Sequence, residues 1–519
     1  MKIIFKDLGK EAELVPGKSI LSYLQEQGIE INASCGGEGK CGHCLVEVEC
    51  APRALSEKTE SEIKFARGDT QRLACQARIL STDYPIYVRV PERSYFVLES
   101  GEYKDIPLLP FVRREGGQVS IDVGEYAGAI YGIALDIGTT TLAMYLTDLE
   151  TGAVLSVSSR ENPQTKYGNN VISRIEFARK EEATLQREIR NVVSTMIAAL
   201  TEPRNVYNLV VVGNPVMRDL FFGISVESLG KSPYEPQSTK PVEKTATELG
   251  ITANRHAWIY GLPLIGSFVG ADALAVVLAT ELYKSDEIGM AIDVGTNTEM
   301  VLGNKDRMIA TSAAAGPAFE GASITCGVGG VNGAIKEVKI ENGTVMYRTI
   351  GDVAKPIGVC GSGLVDALAE LLDKKLIDGR GKFRDGDKEF RIADGISLSE
   401  RDIDQLNLAK TAISVGIKVL QERYGIATEE IDHLFLAGGF VNFTNTENAI
   451  RIGLLPAIAR AKIKKVGNAA LEGAREALVS RTKREEAESV AMRIEHIKLE
   501  EVEDFMEKFV GELYFQNYL

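Results

Sequence analysis

No stretch of the 519-residue chain reaches the roughly 18 consecutive apolar residues that a membrane-spanning helix needs. Positive charge is also in short supply: 59 Lys and Arg against 73 Asp and Glu leave a net charge of −14. That balance argues against general binding to nucleic acid or to an acidic membrane surface, since both are anionic, although it leaves room for a local basic patch. Cysteine is scarce and odd in number, and seven in a chain of this length cannot form a disulfide scaffold. The opening "MKIIFKDLGKEAEL" carries charge where a secretory signal would place its apolar segment, so the expected location is the cytoplasm. Nucleotide motifs of the commonest kinds are missing too. In "GISVESLGKS" Gly223 and Gly230 are too far apart for a phosphate loop, and no strand-linked G-x-G-x-x-G precedes a ribose-binding acid.

What is present is concentrated. Five of the seven cysteines fall between Cys35 and Cys75, and "SCGGEGKCGHC" (34–44) holds three of them among four glycines. A structural zinc site usually draws on two close pairs. Here Cys35, Cys41 and Cys44 share one loop and Cys75 stands alone on a later strand, which suits a 2Fe–2S rhomb held by four thiolates. Gly36, Gly37, Gly39 and Gly42 let such a loop bring backbone N–H groups near the sulfides. Zinc, or a bare redox pair, is the competing reading. Cys50 reads as a packed thiol on the alternating strand 44–50, and His43 as a solvent-facing loop residue rather than a ligand. Around the loop, strands at 1–6 and 11–15, a helix at 19–28 and β-rich stretches at 72–80 and 84–90 predict a small α+β domain over 1–91. Residues 92–129 lose regular period and read as a linker.

Beyond the linker the chain repeats itself. "YGIALDIGTTTLAMYLTDLETGAVL" (131–155) and "GMAIDVGTNTEMVLGNKDRMI" (289–309) each give a buried strand, Asp-x-Gly-Thr, a second strand and a turn. Asp136 and Asp293 lie one lobe apart rather than one solenoid repeat apart, which predicts two similar lobes facing across a cleft. In each turn the backbone N–H groups and threonine hydroxyls can hold phosphate oxygens, and the carboxylate can hold Mg²⁺ through water. Gly438–Gly439, after the strand in "IDHLFLAGGF", would let a nucleoside approach the backbone. "GVCGSGLVDALAELL" (358–372) opens a helix whose N-terminus can face anions, with Cys360 as a structural thiol; a packing role for its glycines is the alternative.

In this order Asp136-Ile-Gly-Thr-Thr, Asp293-Val-Gly-Thr and Ala437-Gly-Gly-Phe resemble the actin, sugar-kinase and heat-shock-chaperone ATPase superfamily. The cysteine spacing is similar to the adrenodoxin-like 2Fe–2S ferredoxins. Together, from Cys35 to Pro456, the chain resembles the reductive activators of corrinoid proteins, including the activating enzymes of corrinoid methyltransferase and O-demethylase systems. Asn170 and Arg218 stand where that pattern leads one to expect Asp and His.

The resemblance implies a β-grasp ferredoxin-type domain (1–91) and a linker (92–129). Next come a first ATPase lobe or middle region (130–288), a second lobe (289–460) of actin-like, ribonuclease-H-like α/β fold, and a C-terminal tail packed on the ATPase (461–519). It implies one-electron transfer from a 2Fe–2S cluster to a Co(II) corrinoid, coupled to ATP hydrolysis. Cys35, Cys41, Cys44 and Cys75 would hold the cluster. Gly138, Thr139, Thr140, Gly295, Thr296 and Asn297 would cradle phosphates. Asp136 and Asp293 would orient Mg²⁺ and the attacking water, with Glu299 as second-choice base, and Gly361, Ser362, Gly363, Gly438 and Gly439 would line the nucleoside side. The implied partners are a corrinoid protein of a methyltransferase system and a low-potential electron donor, in an anaerobic setting, with a homodimer left open. A small-molecule kinase with an appended ferredoxin, and a plain electron carrier with a nucleotide-binding module, are the rival readings. The activators of 2-hydroxyacyl-CoA dehydratases share the ATPase logic but lack a ferredoxin domain.

Overall fold

Ile3 and Phe5, Val46 and Val48, and Ile86 and Val88 are buried at alternate positions along three short strands, and this period-two pattern builds the first unit of a computed structural model of the chain. The structure describes residues 1–6, 8–27, 29, 31, 44–66, 70–90, 106–115, 118–120, 128–352, 355–384, 386, 388–439, 441 and 443–515. Cys35, Cys41, His43, the four loop glycines and most of the linker lie outside them.

The first unit covers residues 1–93 together with the short segment 164–168. Its elements are β1 (Lys2–Phe5), β2 (Lys10–Glu13), α1 (Ile20–Glu26), β3 (Leu45–Glu49), α2 (Glu60–Phe65), β4 (Gln71–Leu73) and β5 (Ile86–Arg89). The sheet order is β2-β1-β5-β3-β4, with β1 parallel to β5 and the other pairs antiparallel, the expected β-grasp arrangement. Ser19 caps α1 by accepting the Ser22 N–H at 3.2 Å, which turns Ile20 and Leu24 onto the sheet.

The second unit contains residues 94–163 and 169–519. Its first lobe holds β6 (Tyr131–Ile137), β7 (Thr141–Asp148), β8 (Val154–Glu161), α3 (Val171–Leu200), β9 (Val206–Gly213), α4 (Pro215–Phe222), β10 (Val242–Thr245), β11 (Trp258–Gly261) and α5 (Ala271–Thr280). The second lobe runs through β12 (Gly289–Val294), β13 (Thr298–Gly303), β14 (Met308–Ala313), β15 (Ala334–Glu341), α6 (Gly361–Asp373), α7 (Glu400–Tyr424), β16 (His433–Ala437), β17 (Ile463–Gly467), α8 (Ala469–Val479), β18 (Ile494–His496) and α9 (Phe505–Glu512).

The two central sheets share one plan. β6-β7-β8 and β12-β13-β14 are antiparallel meanders, and each first strand pairs on its other side with a parallel strand, β9 or β16. The sequence repeat is therefore a repeat of sheet topology.

Residues 461–515 do more than pack on the ATPase as a tail. β17 pairs with β16, β18 pairs with β14, and all of α8 is buried against the first lobe. A buried polar row on α7 receives α9: Asn407 donates to the Leu513 carbonyl at 2.7 Å, Lys410 and Thr411 donate to the Glu512 carbonyl, and Ser414 donates to the Glu512 carboxylate at 2.6 Å.

Candidate functional site: a paired-thiol centre and a two-lobed anion cleft

In the first unit, Cys44 and Cys75 are 1% and 6% exposed, and their sulfurs lie 3.3 Å apart. That separation lets both sulfurs reach one metal. Cys75 does not sit on a strand as expected. Gln76 and Ala77 both donate their N–H groups to the Leu73 carbonyl, so the chain turns immediately after β4. A buried ion pair unseen in the sequence holds that turn. The Glu62 carboxylate accepts Arg72 Nε at 2.8 Å and Nη2 at 3.1 Å, and also the Leu73 N–H at 3.1 Å. Ala74 donates to the Cys44 carbonyl at 2.8 Å, tying the two cysteine segments together. Cys50 is exposed rather than packed, because it falls past the end of β3, where the alternation stops. A buried pair of soft sulfur donors this close together fits an iron–sulfur cluster. Its other two proposed ligands fall outside the described residues.

In the second unit a cavity of about 260 Å³ opens between the lobes. Its floor carries Asp136 at the end of β6, Asp293 at the end of β12, Asp272 on α5 and Glu299 on β13. The first phosphate turn is tight: Gly138 donates to the Thr141 carbonyl at 3.0 Å, and a Cβ at Gly138 would fall 2.6 Å from that oxygen. Three side chains brace the turn from behind. Asn162 donates to the Gly138 carbonyl at 2.8 Å, buried Arg174 donates to the Thr139 carbonyl, and Asn214 donates to the Thr139 hydroxyl at 3.0 Å. Gly295, Thr296 and Asn297 line the opposite wall.

The far end is less polar, with Val328, Gly329, Gly330, Gly438, Gly439 and Phe443. Gly438 has φ +102°, and a Cβ there would meet the Val294 carbonyl at 2.4 Å, so only glycine lets the chain pass this close to the second turn. Gly361 and Ser362 line the cavity, but Gly363 does not. A Cβ on Gly363 would strike the Ile335 carbonyl at 2.4 Å, so this glycine packs α6 on β15. Cys360 is buried in the same turn, its sulfur 3.3 Å from the Ile335 carbonyl, and burial pushes its thiol up.

Electrostatically the floor is crowded. Burial, then Asp272 and Glu320, pushes Asp293 up to about 7, and burial raises Asp272 to about 6. Asp136 and Glu299 are pushed well above the ordinary carboxylate range, first by burial and then by Asp272 and Asp293. Like charges converging at the end of two strands make a site that favours a cation beside an anionic ligand. Among the described residues no three His, Cys, Asp or Glu side chains converge closely enough to ligate a metal ion directly. Any divalent cation here would complete its shell with water and phosphate oxygens.

Sequence reasoning missed Asp272, Glu320, Asn214 and Asn468. Asn468 caps α8 and places its amide 3.5 Å from Asp136. The departures at Asn170 and Arg218 are structural. Asn170 caps α3 by accepting the Ser173 N–H at 2.8 Å, and Arg218 pairs with Asp219 at 2.7 Å while donating to the carbonyls of Ser238, Lys240 and Leu262. No helix among the described residues is long and apolar enough to cross a membrane.

Known proteins with the same features were found along the whole chain. A model of the 2Fe-2S iron-sulfur cluster binding domain matches residues 4–80, a RACo middle region matches 131–285, and a model described as the C-terminal domain of RACo, the ASKHA domain, matches 287–518. The corrinoid activation enzyme RamQ of Eubacterium limosum is 29% identical, over 98% of this chain and 98% of that protein. The [Co(II) methylated amine-specific corrinoid protein] reductase of Methanosarcina barkeri is 29% identical, over 74% of this chain and 77% of its own. A solved structure of a reductive activator for a corrinoid, iron-sulfur protein superposes with a TM-score of 0.72 at 30% identity, covering 99% of this chain and 98% of that one.

Proposed function

This chain belongs to the reductive activators of corrinoid proteins, and on that footing we propose that it drives one electron from its own 2Fe–2S cluster onto the Co(II) corrinoid of a methyl-carrying partner, restoring Co(I) with ATP hydrolysis. The observation that carries the reading is the union in one polypeptide of a buried thiol pair in a ferredoxin fold and a cleft walled by two Asp-x-Gly-Thr turns.

Cys35, Cys41, Cys44 and Cys75 hold the cluster, which when bound supplies a one-electron carrier. Thr139, Thr140, Thr296 and Asn297, with the N–H groups of Gly138 and Gly295, take the phosphate oxygens. Asp136 and Asp293 would hold Mg²⁺, whose charge would offset that of the phosphates. Asp272 and Glu299 face the same space and position the attacking water; Gly361, Ser362, Gly438 and Gly439 receive the nucleoside, with Phe443 at its edge. Little covalent chemistry is asked of these residues, because phosphoryl transfer is chiefly positioning and charge neutralisation.

ATP is needed for an energetic reason. A plant-type cluster sits near about −400 mV, too weak for a free Co(II) corrinoid, and each gap of about 59 mV is a tenfold disadvantage for one electron. Nucleotide-dependent clamping of the partner offsets that gap.

The test mixes reduced protein with a Co(II) corrinoid methyl carrier and follows the cobalt spectrum with and without ATP. Co(I) is expected only with ATP. Equal reduction without nucleotide would remove the coupling, and no reduction in either arm would remove the assignment.

A further inference from the structure

Across the cleft, the hydroxyls of Thr140 and Thr296, one from each phosphate turn, stand 3.1 Å apart. Both donate to a single oxygen, Oε2 of Glu320, from 3.3 Å and 2.5 Å respectively. Two hydroxyls in mutual contact leave no space for a phosphate between them, and a carboxylate already takes the hydrogen bonds that phosphate oxygens would take. We propose that Glu320 is a built-in stand-in for the terminal phosphate: it clasps the two turns and must be displaced before a nucleoside triphosphate seats. The inference rests on the ATP reading of the cleft and deepens it.

The physical logic is exchange. Glu320 satisfies two hydroxyls that would otherwise face one another across the cleft. A terminal phosphate brings more charge and more acceptors, replaces the carboxylate at both threonines and expels it by like-charge repulsion. A diphosphate lacks the group that reaches between the turns and leaves the clasp closed.

Displacement has somewhere to go. Glu320 rides on the segment 314–330, whose start is tied to the second turn by the Gly316 N–H on the Thr296 carbonyl at 2.8 Å. Further along, the Thr325 N–H donates to Asp402 Oδ1 at 2.7 Å. Asp402 is in the first turn of α7, where its other oxygen accepts the N–H and hydroxyl of Ser399, the cap. Moving Glu320 therefore pulls on the N-terminus of the 25-residue helix that carries the C-terminal α9. Glu320 is a positioning residue: it acts on the triphosphate through Thr140 and Thr296.

The test compares wild type with Glu320→Gln and Glu320→Asp by calorimetric titration, using a non-hydrolysable ATP analogue and ADP, each with Mg²⁺. Glu320→Gln should bind the analogue about tenfold more tightly, the scale of one charge-assisted hydrogen bond, with ADP changed less than about twofold on the same scale. Glu320→Asp keeps the charge and should restore the weaker binding. Hydrogen exchange over 317–330 and 399–404 should quicken in wild type with the analogue but not with ADP, and should already be fast in Glu320→Gln without ligand. Weaker or unchanged analogue binding in a folded Glu320→Gln overturns the clasp while leaving the ATP reading intact. Failure of wild type and variants alike to bind either nucleotide overturns both.

Discussion

Asn214 donates its side-chain amide to the Thr139 hydroxyl at 3.0 Å while its side-chain oxygen accepts the Met217 N–H at 3.0 Å, so one residue caps α4 and aims the first phosphate turn. Asn214→Ala removes both. Loss of the cap costs about 1 kcal/mol, a modest shift in melting temperature. The freed hydroxyl should raise KM for ATP severalfold with little change in kcat. Steady-state ATPase kinetics beside a thermal melt check both halves, and an unchanged KM would show that Thr139 needs no aiming.

Glu62 and Arg72 predict a different fragility. Both are buried in the first unit, and breaking a buried pair costs about 3 kcal/mol or more because the remaining charge is stranded. Glu62→Ala should lose the visible iron–sulfur absorption at a lower temperature than wild type, with ATP binding unaffected. Absorbance-monitored melting and nucleotide titration separate the two.

The cysteines give a sharp contrast. Cys75 is buried against Cys44, whereas Cys50 is exposed beyond β3. After anaerobic reconstitution with iron and sulfide, Cys75→Ala should lack the 2Fe–2S spectrum and Cys50→Ala should retain it. The reverse result would reassign the fourth ligand.

Lys410 carries a pH dependence. Burial lowers it to about 8, partly opposed by the Glu512 carboxylate. Between about pH 8 and its ordinary value near 10.5 the unfolded chain holds a proton that the folded chain has released. Stability from this group therefore rises with pH through that window. The gain is at most about 3 kcal/mol. Urea unfolding at pH 8 and pH 10 should show the rise in wild type and a smaller one in Lys410→Met; identical slopes would mean that the lysine is not desolvated.

The ferredoxin fold, the duplicated Asp-x-Gly-Thr turns and the glycine pair before Phe440 were readable because each is local. Strand alternation, a turn demanding glycine and a cysteine spacing are properties of a few neighbouring residues. Some local readings differ from the structure. Gly363 looked like part of a nucleotide turn, yet its missing side chain admits the Ile335 carbonyl from a strand about 28 positions earlier. Cys50 looked packed until β3 ended one residue before it.

By itself, the amino-acid order determined which strands end in carboxylates and where soft sulfur donors cluster, because backbone geometry and side-chain chemistry act within a turn or two. Only the tertiary structure decided which groups share a space. Asp272 reaches Asp293's neighbourhood from a separate helix, Glu62 pins the segment before Cys75, and Glu320 joins Thr140 to Thr296 over 180 and 24 positions. Those meetings depend on how two lobes and a β-grasp sheet close their cores, and burial of distant apolar surface leaves no mark at the polar residues it brings together.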